Sequence, residues 1–132
     1  MTNSEREELF VRAFITLDKQ ERYLQLLANP KRRSKVLHDF YHALPLILEY
    51  RSAIANRDSF PEELLKLKGA GSTCYLISPD KDIDQQEMPL YDALSILISG
   101  DRTAVVCCIP GQLAYYKAEL SASLLERKLS KK

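Results

Sequence analysis

The chain has 132 residues, 45% of them hydrophobic and 28% charged, with 19 basic and 18 acidic side chains. That is the size and balance of one globular domain that buries its own core without disulfides or a structural metal. A net charge of +1 removes the strong electrostatic case for a nucleic-acid partner, and no apolar run approaches the roughly 20 residues of a membrane span.

The opening residues Met1 to Glu8 are polar and acidic, without the basic segment and apolar stretch of a secretory signal, so the expected compartment is the cytoplasm. Cys74, Cys107 and Cys108 lie in apolar runs, and their odd number in a reducing compartment points to buried thiols. Charge is uneven: residues 1–68 carry 12 basic and 10 acidic side chains, residues 69–118 carry 3 and 6, and residues 119–132 carry 4 and 2.

Taken in order, Ser4 and Glu7 have capping-box spacing, followed by Phe10, Ala13, Phe14, Leu17, Leu24 and Leu27 at amphipathic-helix positions. The helix should end by Asn29-Pro30, with a break allowed near Asp18. A second helix is expected from Lys31 to Ala43, and Pro45 either kinks it or opens a third through about Ala55. After a connector at residues 56–58, Ser59 and Glu62 suggest another capping box around Pro61 and a short helix to Lys68, stopped by Gly69-Ala70-Gly71.

Thr73 to Ser78 reads as a strand, and Asp80 to Glu87 as a polar loop. Pro89 to Ser99 reads as a helix, with Leu90, Ala93, Leu94, Leu97 and Ile98 at helical spacing and Gly100 beyond. Thr103 to Ile109 and Gln112 to Ala118 flank Pro110-Gly111, the pair a type II turn takes at its centre, and so form a hairpin. The first of these strands is apolar at both parities and should lie centrally, covered on both faces. Leu120, Leu124 and Leu125 suggest a terminal helix over residues 119–130.

The expected fold is therefore α+β in one domain, residues 1–132. A helical N-terminal half of three to four helices (1–68) packs on a small β-α-β-β mixed sheet (72–118), with a hinge at 69–71 and a C-terminal helix. A strand-helix-strand unit normally makes its strands parallel. Their C-terminal ends would then bring the 80–87 loop beside the Pro110-Gly111 turn, and the crevice there is the first expected ligand location.

Each candidate site has a plain structural alternative. His38 and His42 stand four apart, the spacing that stacks two imidazoles for zinc. A zinc peptidase needs Glu after the first His, where Asp39 stands, and only Glu49 could join that face if the helix survives Pro45. The alternative is a solvated helix face. Asp80, Asp82 and Asp84 alternate like the opening of an EF-hand loop, but Gln85 and Tyr91 occupy the positions that need Gly and Glu. The same carboxylates could serve a metal-dependent nuclease, yet neither hairpin strand carries a Glu-x-Lys pair.

Lys31, Arg32, Arg33 and Lys35 form the densest basic cluster, placed at the dipole-unfavourable end of a helix. Adjacent Cys107 and Cys108 face opposite sides of a strand, and Gly69 to Ser72 precedes a strand where a phosphate-cradling loop precedes a helix. By elimination the expected function is a non-catalytic interaction or regulatory domain acting on another protein, without a cofactor. The alternatives are a metal-dependent hydrolase or nuclease on the 80–87 loop and a weak nucleic-acid binder through the basic cluster. Self-association is compatible with the sequence.

Overall fold

The computed structural model describes residues 1–56 and 58–127. The capping box that opens α1 (Asn3–Phe14) belongs to Thr2 and Glu5: the Glu5 N–H donates to Thr2 Oγ1 at 3.1 Å and the Thr2 N–H to Glu5 Oε1 at 2.8 Å. This is two residues earlier than Ser4 and Glu7, and it leaves Glu7 free to join Phe10, Val11 and Phe14 on the buried face. A 3-10 turn at Leu17–Lys19 breaks the chain near Asp18, after which α2 (Gln20–Leu27) buries Tyr23, Leu26 and Leu27.

The helix expected from Lys31 to Ala43 is only a single α turn, α3 (Ser34–Leu37), followed by a 3-10 turn at His38–Tyr41. No third helix follows Pro45. Proline disfavours the α conformation in the residue before it, and the chain here runs alongside the end of α1. Thr16 N–H donates to Pro45 O at 2.9 Å, Ile47 N–H donates to Phe14 O at 2.8 Å, and Ile15 bridges to Leu46. A 3-10 turn at Leu48–Tyr50 then leads into strand β1 (Arg51–Ile54).

Helix α4 (Glu62–Leu67) starts at Pro61 without a side-chain cap, since the Ser59 hydroxyl donates to Asn56 O at 2.8 Å. Its far end is a Schellman motif. Gly69, at φ +106°, places its N–H 3.0 Å from Lys66 O, and the Ala70 N–H lies 3.0 Å from Leu65 O. The Gly69 to Gly71 segment thus closes a helix with defined hydrogen bonds.

The expected mixed β-α-β-β sheet is replaced by six antiparallel strands in the order β1-β6-β5-β4-β2-β3. They are completed by β2 (Thr73–Ile77), β3 (Glu87–Pro89), β4 (Ala104–Ile109), β5 (Leu113–Lys117) and β6 (Ala122–Glu126). Two features overturn the expectation. The three-residue β3 pairs antiparallel with β2 before α5 (Leu90–Ser99) begins, and that extra reversal makes β4 antiparallel to β2, with Tyr75 opposite Cys107 and Ile77 opposite Val105. Consequently the 80–87 loop and the Pro110-Gly111 turn lie at opposite ends of the strands, and the crevice expected between them does not form.

The second feature is β6, which stands where a terminal helix was expected; residues 128–130 of that expectation lie outside the described residues. A tight reversal, with Ala118 N–H donating to Ser121 O at 2.8 Å, folds β6 back on β5 and leaves Leu120 exposed. Residue by residue β6 then alternates, Leu124 entering one core and Leu125 the other.

Strand β4 is central, between β2 and β5, as its two-sided apolar pattern requires. Val105 and Cys107 face α1, α2 and the 3-10 turn at Phe40, while Ala104 and Val106 face Leu65 of α4 and Leu90, Ala93, Leu94 and Leu97 of α5. The result is a helix-sheet-helix arrangement with a core on each face of the sheet. No helix among the described residues is long and apolar enough to cross a membrane.

Candidate functional site

The acidic loop begins where β2 ends. Ile83 and Asp84 N–H groups both donate to Asp80 O, at 3.1 and 3.0 Å, and this turn sinks the Ile83 side chain into the α5 core while Gln85 takes a left-handed φ of 63°. The turn aims its three carboxylates at two arginines. Arg102, just before β4, donates from Nε to Asp80 Oδ2 at 3.1 Å and from Nη2 to Asp82 Oδ1. The hydrogen bond from Arg102 holds the Asp82 carboxyl below its usual range. Asp84 is claimed by Arg33.

Arg33 is the residue the sequence misleads on. It sits in a basic run, yet its side chain is buried, while Lys31, Arg32 and Lys35 are exposed. Each of its five N–H donors has an acceptor. Nε and Nη2 reach Asp84 at 2.7 and 3.0 Å, Nη1 and Nη2 reach Glu7 at 2.7 and 2.6 Å, and Nη1 also donates to Leu27 O at 3.0 Å. Burial pulls the guanidinium pKa down, but the hydrogen bonds to Glu7 and Asp84 outweigh it and hold the pKa above its ordinary value. The Tyr75 hydroxyl donates to Glu7 Oε2 at 2.6 Å; burial, then that bond, raise its pKa. The sequence offers Glu7 as the capping-box partner of Ser4; its place one helical turn before Phe10 and Val11 is what marks it instead as inward-facing.

This network floors a cleft of about 930 Å³ between α1, α2, α3 and the loop, with Leu24, Leu27 and Leu37 on its walls and Lys31 and Lys81 at its mouth. Its size is that of a ligand pocket. Its buried polar groups, however, are turned toward one another, so the arrangement ties the loop to the N-terminal helices.

The histidines are exposed, with ring centroids 6.2 Å apart, and His42 Nδ1 lies 3.8 Å from Glu119 Oε1. Glu49 lies in the separate Leu48–Tyr50 turn. Among the described residues, no group of three His, Cys, Asp or Glu side chains is arranged to hold a metal ion. Cys74, Cys107 and Cys108 are free thiols. Burial raises all three pKa values, those of Cys74 and Cys108 to about 12, which is the wrong direction for a nucleophile.

The outer surface of α4 and α5 differs from these sites. Phe60, Leu64, Leu67 and Tyr91 are 42%, 38%, 84% and 58% exposed, and the Phe60 and Tyr91 rings are 5.2 Å apart. Leu65, between two of them, is fully buried, so α4 is apolar on two sides and only one is covered. The sequence contains this signal as Leu64-Leu65 and Leu67, which a short helix cannot bury on one face.

No family model, curated protein or solved structure matches the chain.

Proposed function

We propose that this chain is a non-catalytic interaction domain of the cytoplasm that binds another protein through the α4–α5 face. The observation that carries the reading is the exposed cluster of Phe60, Leu64, Leu67 and Tyr91. Isolated apolar side chains on a surface need no explanation, but aromatic and leucine side chains gathered on one face are a feature of protein contact sites. The competing reading, a metal-dependent hydrolase or nuclease on the 80–87 loop, requires carboxylates open to a cation, and here Arg102 and Arg33 occupy them. Nucleic-acid binding through the basic cluster loses Arg33 to the interior, leaving three exposed cations and a weak electrostatic footprint.

The test is affinity capture with the intact chain and with a Phe60→Ser/Leu67→Ser variant of unchanged melting temperature. A protein retained by the first, lost with the second and bound again when both partners are purified supports the reading. Equal retention by both variants contradicts it.

A further inference from the structure

Building on the interaction reading, we infer that the α4–α5 face receives an amphipathic helix of another protein whose flanks carry Lys or Arg. The shape comes from α4. Leu64 and Leu67, three apart, share one side of α4 (Glu62–Leu67), and Phe60, in the segment just before the Pro61 cap, extends the exposed apolar stripe from the helix N-terminus. Tyr91, its ring tilted 52° against that of Phe60, widens the stripe toward α5. A partner helix laid along such a stripe places its own apolar residues at the same spacing. An added strand has no foothold here, because β3, the edge strand beside α5, is three residues long and ends in Pro89.

The charge comes from what remains unpaired. Both cations of α4 and its cap are taken: Lys66 Nζ lies 3.7 Å from Glu62 Oε2, and Lys68 Nζ lies 3.2 Å from Glu126 Oε1. Glu63 and Asp92, next in the chain to Leu64 and Tyr91, are exposed and have no ion-pair partner among the described residues. Among the described residues, the uncompensated charge beside the stripe is therefore negative. It attracts a basic partner and repels an anionic lipid surface, and like charges facing each other disfavour an acidic helix.

The test uses two synthetic peptides of about 18 residues, long enough for five helical turns, with the same leucine face and either Lys or Glu on the flanks. Each is titrated into the full chain and followed by NMR. The Leu/Lys peptide shifts the resonances of Phe60, Leu64, Leu67 and Tyr91, binds more weakly as salt rises, and loses about tenfold in affinity in Leu67→Ser. In the Glu63→Lys/Asp92→Lys variant the preference reverses to the Leu/Glu peptide. Binding of the Leu/Glu peptide to the unaltered chain at the same residues, as tightly or more so, overturns the basic partner while leaving the interaction reading standing. Shifts confined to the 80–87 loop, or none with either peptide, overturn the inference. So does self-association, or binding to vesicles containing phosphatidylserine, that Leu67→Ser abolishes.

Discussion

Arg33 and Asp84, 51 residues apart in the chain, meet through Nε and Oδ2 at 2.7 Å, with Nη2 and Oδ1 at 3.0 Å beside them. The contact joins the helical half to the loop after β2. With Glu7 on the other side of the guanidinium, two carboxylates share one buried cation. Asp84 Oδ1 also accepts from the Ser78 N–H at 3.0 Å.

Removing the cation strands those carboxylates in a desolvated site. Arg33→Met is expected to cost about 3–5 kcal/mol, read as a lowered urea midpoint. Arg33→Lys should fall well short of rescue, because an ammonium has three donors and no fork geometry. A loss below about 1 kcal/mol in Arg33→Met would show that the pair behaves as a surface salt bridge.

The two glycines after α4 should respond differently. Gly69 sits at φ +106°, where a side chain is strained, so Gly69→Ala is expected to cost on the order of 1 kcal/mol. A Cβ on Gly71 meets nothing within 4 Å, and Gly71→Ala should be neutral or slightly stabilising by restricting the unfolded chain. Equal effects in thermal unfolding would remove the Schellman assignment.

Alkali should unfold the protein before its buried acids titrate. Burial raises the Cys74 and Cys108 thiols from 9.0 to about 12 and the Tyr116 hydroxyl from 10.0 to about 12. A folded pKa above the unfolded one favours folding at low pH, so this contribution is complete below pH 9 and declines as pH climbs toward 12. Denaturant midpoints at pH 8 and pH 11, with tyrosinate and thiolate absorbance followed together, check this. Titration of Cys74 or Cys108 in the folded protein near pH 9 would contradict it.

Much of this fold was legible because the pattern was long or doubly signalled. Leu90, Ala93, Leu94 and Leu97 agree on α5, and Pro110-Gly111 with φ +71° at Gly111 agrees on the β4–β5 turn. The failures have local causes. Leu120, Leu124 and Leu125 fit helical spacing as well as strand alternation, and the Ala118 to Ser121 reversal that decides between them has neither Gly nor Pro to announce it. Glu87 to Pro89 is too short to show a period, yet it sets the direction of β4. At the site, Asp80, Asp82 and Asp84 were visible as a cluster, but the arginines that neutralise them come from residues 33 and 102, and distance in the sequence hides that pairing.

The same pairing makes a prediction for cations. Calcium and magnesium should leave the melting temperature of the unaltered chain unchanged, and Arg102→Ala, which frees Asp80 and Asp82, should be the variant in which binding emerges. Stoichiometric binding to the unaltered chain, lost in Asp80→Asn, would restore the metal-dependent reading.

Hydrogen exchange of the chain with and without its purified partner, followed by mass spectrometry, tests the interaction surface most directly. Slowed exchange confined to peptides covering α4 and the first turns of α5 is the predicted result. Slowing at the 80–87 loop and the cleft above Arg33, with α4 unchanged, would contradict it.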